Sequence, residues 1–296
     1  MIPSMKHSRG AALLLVIWLL LLLAGLVVVF AFSARIESMQ GSALRARLAG
    51  QLAAESGLEI AALRLAEADP TRRWFPDGRA NTFEYAGHQV EVRVRDESGK
   101  VDINAADASL IADLMLALGV EEARARQLAG AIQDWRDVDE LLAIGGGAED
   151  PDYAAADLDY GAKDQPFHTV SELQQVLGMD EDVYRRLVPY VTVYTAAPRP
   201  LRDFAEVPVL QALGMAPADA MAWVEARSAW QPGLPLPLSP DGGALAAAGS
   251  GTYSVASRAV RPDGLAVEVT STVRIGAAAG FGQLYAPLAW RVGEPD

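Results

Sequence analysis

The sequence predicts an α+β protein: a long N-terminal helix whose first half crosses a membrane, an antiparallel sheet, and a large all-helical domain inserted between strands. Three observations carry this. An uncharged apolar run from Ala11 to Phe32 continues into an amphipathic pattern, segments of period two sit near both ends of the remaining chain, and between them an apolar phrase ending in glycine occurs three times. At 296 residues the chain is long enough for about two packed units. The expected divisions are a basic leader at 1–10, the membrane span at 11–32, and the long helix with the first strands at 33–104. The inserted helical domain follows at 105–245 with an acidic loop at 134–164, and the C-terminal strands occupy 246–296.

The 22 residues from Ala11 to Phe32 carry no charge and as a helix would reach about 33 Å, the thickness of a bilayer's hydrocarbon core. Lys6 and Arg9 precede the run without an acid, whereas Arg35 behind it is offset by Glu37. The positive-inside rule therefore keeps the N-terminus in the cytoplasm and puts the body of the chain on the other side. A secretory signal has a shorter apolar core of about 7–15 residues. A basic stretch that stops at Gly10, followed directly by Ala11 and the apolar helix, resembles the type III leader of pilins and pseudopilins, cut after the glycine by prepilin peptidase. An uncleaved signal anchor accounts for the same residues, and both readings stay open. Beyond the membrane, Leu44, Leu48, Leu52, Ala53, Leu58, Ala62 and Leu65 recur at helical intervals among Arg45, Arg47, Glu55, Glu59 and Arg64. This amphipathic continuation runs to about Asp69-Pro70, with Gly41, Gly50 and Gly57 expected to weaken it.

Val90, Val92 and Val94 alternate with Glu91, Arg93 and Arg95, which predicts a half-buried strand. Near the C-terminus Leu265, Val267, Val269, Ser271, Val273 and Ile275 share one face, and the turn Arg261-Pro262-Asp263-Gly264 pairs that strand with Thr252 to Val260. A last strand is expected from Leu284 to Val292. The repeated phrase reads LMLALGV at Leu114 to Val120, LQQVLGM at Leu173 to Met179 and VLQALGM at Val209 to Met215. Each predicts an apolar helix closed by a left-handed glycine and followed by a second helix, a unit resembling the helix-hairpin-helix module. Thr169 with Glu172 forms a capping box before the second copy, Asp203 with Glu206 has the same spacing before the third, and Pro217 suits the first turn after it.

A formal net charge of -13, from 25 Lys+Arg against 38 Asp+Glu, opposes binding to phosphate backbones. The second helical copy has Glu172, Asp180, Glu181 and Asp182 against only Arg185 and Arg186, so its hairpin is read as a packing unit rather than a nucleic-acid clamp. With no cysteine there is no disulfide framework, thiolate zinc site or cysteine nucleophile. His7, His88 and His168 form no HExxH pattern, no GxSxG elbow occurs, and Gly145-Gly146-Gly147 lacks the lysine of a phosphate loop. Dense acids do supply carboxylate pairs at separations a glycosidase would use, which the sequence leaves open.

Those acids concentrate between Asp134 and Asp164, where ten acidic and two basic residues give a local charge of -8. Such a loop is either solvated or held by cations, and Ca²⁺, with roughly 6–8 oxygen ligands, suits it. It is not an EF-hand: counted from Asp137, the sixth position is Leu142 instead of glycine and the twelfth is Ala148 instead of glutamate. Composition alone slightly favours a metal-free, solvated acidic surface over a cation site.

The order VDINAAD (Val101 to Asp107), DWRDVD (Asp134 to Asp139), GAEDPDY (Gly147 to Tyr153) and KDQPFHTVSELQQVLGM (Lys163 to Met179), closed by LAWR (Leu288 to Arg291), resembles the K-type minor pseudopilin of type II secretion systems. Departures are Lys163-Asp164, where Lys-Asn is usual, and Tyr194-Thr195-Ala196-Ala197 before the last helical copy. The resemblance implies a pilin-like fold with a helical insertion and calcium bound near it, the candidate ligands being Asp134, Asp137, Asp139, Glu149, Asp150 and Asp152. It implies processing between Gly10 and Ala11 by prepilin peptidase with methylation of the new N-terminus, anchoring in the inner membrane, and a periplasmic head. It further implies assembly with I-type and J-type minor pseudopilins at the filament tip, contact with secreted substrates, and no nucleic-acid partner. Pilins and pseudopilins usually carry glutamate at the fifth mature position, which is Leu15 here, and its absence is the mark of the K type that the chain resembles. A carboxylate within a bilayer costs about 2.5–3.5 kcal/mol unless compensated, and a subunit with no neighbour ahead of it has no use for one. The expectation is a non-enzymatic tip subunit. The other classes weighed are a membrane-anchored calcium-dependent hydrolase and a helix-hairpin-helix DNA-uptake protein.

Overall fold

The computed structural model describes residues 9–231, 233–240, 242–243, 245, 249–276 and 283–293. The first eight residues of the expected leader lie outside the described residues. Helix α1 runs unbroken over Arg9–Leu65, 57 residues, stopping a turn short of the expected Asp69-Pro70. It contains the one described helix long and apolar enough to cross a membrane, and the large apolar side chains of that segment are bare, Leu15 at 68% exposed.

Only the upper part of α1 packs within the chain. Ala53, Ala54, Leu58, Ala61 and Leu65 meet Val90, Val92, Val94, Val255, Val269 and Val273 on one face of the main sheet. Two of the three glycines expected to weaken this helix, Gly50 and Gly57, instead set its distance from the sheet. A Cβ on Gly57 would stand 2.1 Å from Ser257 Oγ and 2.8 Å from Val92, and one on Gly50 2.9 Å from Val267. The helix backbone therefore rests directly on the strands, and the helix-propensity loss at these positions is offset by close packing.

The main sheet is antiparallel, in the order β1-β2-β5-β6-β7. Its strands are β1 (Asp77–Tyr85), β2 (His88–Asp96), β5 (Thr252–Val260), β6 (Ala266–Ile275) and β7 (Tyr285–Gly293). The expected hairpin, β5 with β6, and the expected last strand are present at nearly the expected bounds. Strand β1 was not expected: its sequence, DGRANTFEY, is mostly polar because it is an edge strand, buried only at its start. Ala86 and Gly87, at φ 48° and 77°, form the two-residue turn into β2.

Between β2 and β5 the chain leaves the sheet. The short β3 (Val101–Asp102) pairs in parallel with β4 (Val191–Thr192), and around them fold α2 (Ala108–Ala117), α3 (Glu122–Arg136), α4 (Asp150–Ala155), α5 (Glu181–Leu187), α6 (Val207–Ala212) and α7 (Pro217–Ala229). The three glycine phrases are three helix-glycine-helix turns, with Gly119, Gly178 and Gly214 at φ 81°, 83° and 86°. The first and third open on α-helices, whereas the second opens on a 3₁₀ turn, Val170–Gln175. Leu110, Ile111, Leu114, Leu128, Ile132, Trp135, Tyr153, Leu173, Leu187, Leu210 and Trp223 make one core separate from that under α1.

Entry to and exit from this insertion are stitched together. The buried Asp96 accepts hydrogen bonds from the backbone N–H of Ser98 at 2.9 Å and of Ser250 at 2.6 Å. On the other flank Arg79, paired with Asp77 at 2.8 Å, donates to the carbonyls of Arg227 at 3.0 Å and Trp230 at 2.8 Å at the end of α7. These bonds fix the helical domain to the sheet at two separated points.

Candidate functional site

Helix α3 ends in Asp134-Trp135-Arg136, and the chain then loops back across its own last turns. The loop can lie there because Gly130 has no side chain: a Cβ would come within 1.6 Å of the Gly146 carbonyl oxygen. Gly147 is constrained likewise, its missing Cβ falling 1.9 Å from Asp134 Oδ2. The Asp134 carboxylate, fully buried, accepts the N–H of Ala143 at 3.0 Å and of Ala148 at 2.9 Å, pinning both limbs of the loop.

Two more carboxylates close on Asp134. Asp137 follows the end of α3 and Glu149 stands before the first turn of α4; one oxygen from each of the three lies within 4.8 Å of the others. Asp137 Oδ1 and Glu149 Oε1 are buried without a hydrogen-bond partner among the described residues. Three acids drawn this close repel one another, and burial adds to the cost of ionising them. Glu149 is pushed up to about 7, first by burial and then by the charges of Asp134, Asp137, Asp164 and Asp139. Burial also raises Asp134, against the pull of its two N–H donors, and raises Asp137, with Asp139 adding to the shift. Tyr153 is pushed up to about 12, mainly by burial; its ring packs 5.9 Å from Trp135, which lies 6.2 Å from Phe167.

Of the six candidate ligands the fold brings together Asp134, Asp137 and Glu149. Asp139 is exposed in the loop, its Oδ1 accepting the N–H of Leu141 at 2.9 Å, and acts on the cluster through its charge. Asp150 and Asp152 hold backbone instead: Asp150 Oδ1 accepts the N–H of Ala162 at 3.0 Å, and Asp152 Oδ2 that of Glu149 at 3.0 Å. Asp164 was absent from the expected set, yet its charge is felt at both Asp137 and Glu149. Its left-handed backbone, φ 55°, belongs to the loop's return, and the preceding Lys163 turns away to the Glu172 carboxylate and the Pro166 carbonyl. The donor set is all oxygen, partly unsatisfied and buried, which fits a hard divalent cation such as Ca²⁺ and fits no soft metal.

At the other end of the molecule, Gly10 and Ala11 lie in the first turns of α1, upstream of Leu15. From Ala12 to Ala49 the helix has no fully buried residue.

Residues 90–199, from β2 through the carboxylate cluster to beyond β4, match the family described as Type II secretion system (T2SS), protein K. The Type II secretion system protein K of Pectobacterium carotovorum subsp. carotovorum is 44% identical over 78 residues, 26% of this chain and 24% of that relative. Its counterpart in Pseudomonas aeruginosa is 31% identical over 151 residues, 48% of this chain and 45% of that protein. The chain thus spans about a quarter to a half of the length of these relatives. The crystal structure of the GspK-GspI-GspJ complex from enterotoxigenic Escherichia coli matches the fold with a TM-score of 0.60 at 21% identity, covering 88% of this chain and 100% of that one.

Proposed function

We infer, for a chain that belongs to the type II secretion system protein K family, that it is a minor pseudopilin, a structural subunit rather than an enzyme. In this reading it sits at the tip of the pseudopilus and starts or caps its assembly for export of folded proteins from the periplasm. The observation that carries the reading is α1 itself. A helix of 57 residues packs on its own sheet only near its C-terminal end, and an apolar surface left bare over the remainder calls for lipid below and partner helices above. Its natural partners are the I-type and J-type minor pseudopilins, since the solved relative of like fold is a complex with GspI and GspJ. The chain is anchored once in the inner membrane, its basic N-terminus cytoplasmic and its head periplasmic.

Prepilin peptidase is the proposed processing enzyme, cutting between Gly10 and Ala11. Gly10→Ala is expected to retain the leader, read by intact mass; normal processing of that variant would defeat this step. Leu15, uncharged at mature position five, suits a protomer with no neighbour ahead. Calcium is the proposed ligand of Asp134, Asp137 and Glu149, with Asp139 and Asp164 adding charge; its role is to neutralise the cluster and fix the loop. The hydrolase and DNA-uptake alternatives gain no support from the fold or the relatives. The deciding experiment is co-purification with the I-type and J-type proteins together with gold labelling of assembled fibres. Label confined to fibre ends supports the tip assignment, and label along the shaft refutes it.

A further inference from the structure

Within the loop that crosses α3, four aliphatic side chains face solvent: Val138 is 84% exposed, Leu141 75%, Leu142 57% and Ile144 105%. Single exposed apolar residues are ordinary on a protein surface, but so dense a group in one loop is a feature of interaction sites. The loop is also held. Its limbs are tied to the buried Asp134, Asp139 bonds the N–H of Leu141, and the Gly146 N–H closes on the Ala143 carbonyl at 3.2 Å. Because its backbone is anchored, the aliphatic tips are presented outward and little ordering remains to be done on binding.

The neighbouring charges select the occupant. Asp137, Asp139 and Glu140 are interleaved with the aliphatic residues, and the surrounding segment carries a net charge of -8. An anionic bilayer repels such a surface, whereas a protein pocket with an apolar floor and a rim of lysine or arginine matches it in both respects. We propose that the loop from Val138 to Ile144 is a docking knob that inserts Leu141, Leu142 and Ile144 into an apolar, cation-rimmed pocket on a partner protein. This contact is additional to assembly through α1 and does not depend on it.

The probe is an amphipathic helical peptide of leucine and lysine, titrated by fluorescence anisotropy against the full chain in zwitterionic nanodiscs, with empty nanodiscs as blank. The full chain is expected to bind it, and a leucine-glutamate peptide of the same pattern is not. Leu141→Ser/Leu142→Ser and, separately, Glu140→Lys are each expected to weaken binding about tenfold or more, without changing the melting temperature, since all three side chains are exposed. Equal binding by the double serine variant would reduce the effect to bulk charge and overturn the proposal. So would no binding by the unaltered chain, or a preference for added anionic vesicles over the peptide.

Discussion

Under α1 the sheet meets a seam of alanine, leucine and valine with two glycines bringing the helix backbone onto strand side chains. In the insertion, by contrast, Asp134, Asp137 and Glu149 are folded together at 4.8 Å or less with two carboxylate oxygens unpartnered. The first region draws its stability from apolar burial and close packing, and everything it needs is in the chain. The second holds like charges in a place where each disfavours the ionisation of the others, so its folded form is strained at neutral pH unless a cation joins it. One region is thus closed by apolar contacts within the chain, while the other holds two buried carboxylate oxygens without a hydrogen-bond partner among the described residues.

The severest way to break this contrast is to disturb the closed region. Gly57→Ala places a Cβ where Ser257 Oγ and Val92 already stand, so either those side chains or α1 must shift. Overpacking of this kind costs about 1–3 kcal/mol, and more where backbone has to move. The purified chain is expected to melt many degrees lower with or without calcium, as read by circular dichroism. A melt like that of the parent would mean that the helix does not rest directly on the sheet.

Calcium should act on the other region alone. A ligand that binds only the folded form at a hundredfold excess over its Kd stabilises it by about 2.7 kcal/mol, so chelation is expected to lower the melting temperature of the unaltered chain and of Gly57→Ala by a similar amount. Glu149→Gln removes a carboxylate that its surroundings already disfavour as an anion. That variant should be more stable than the parent in chelator and should lose most of the response to added calcium. Identical melts of the parent in calcium and in chelator would remove the cation from the account.

The two regions also differ in how far their sequences reveal them. The β5–β6 hairpin was legible because apolar residues alternate about a turn of known chemistry, and each helix-glycine-helix turn because its glycine takes a left-handed conformation. Strand β1 was not, since an edge strand buries too little to show a period. Gly50 and Gly57 read as breaks because the strand residues they touch are distant in sequence. At the carboxylate cluster the density of acids was plain, but which of them converge depends on the loop folding back over Gly130. Asp150 and Asp152 look like ligands by type and bond backbone in the fold, and Asp164 reaches the cluster only through the return of the chain.

The smallest predicted effect sharpens the contrast within the insertion, because Asp107 is a carboxylate whose needs are met. It caps α2, accepting from Ser109 Oγ at 2.6 Å and the N–H of Leu110 at 2.8 Å, and these two bonds hold its pKa below the ordinary 3.8, against a partial opposing effect of burial. Asp107→Ala should cost about 1 kcal/mol, the usual loss for a helix N-cap. A depressed carboxylate contributes stability that is present above its unfolded pKa and lost as pH falls through the folded one. The gap between parent and variant, measured as a shift in urea midpoint, should hold steady at neutral and mildly acidic pH and narrow below 3.8. Glu149, raised where Asp107 is lowered, should show the opposite sign in chelator: without calcium its ionisation weakens the fold as pH climbs toward about 7. An Asp107 gap that grew as pH fell would mean that the charge opposes the cap rather than making it.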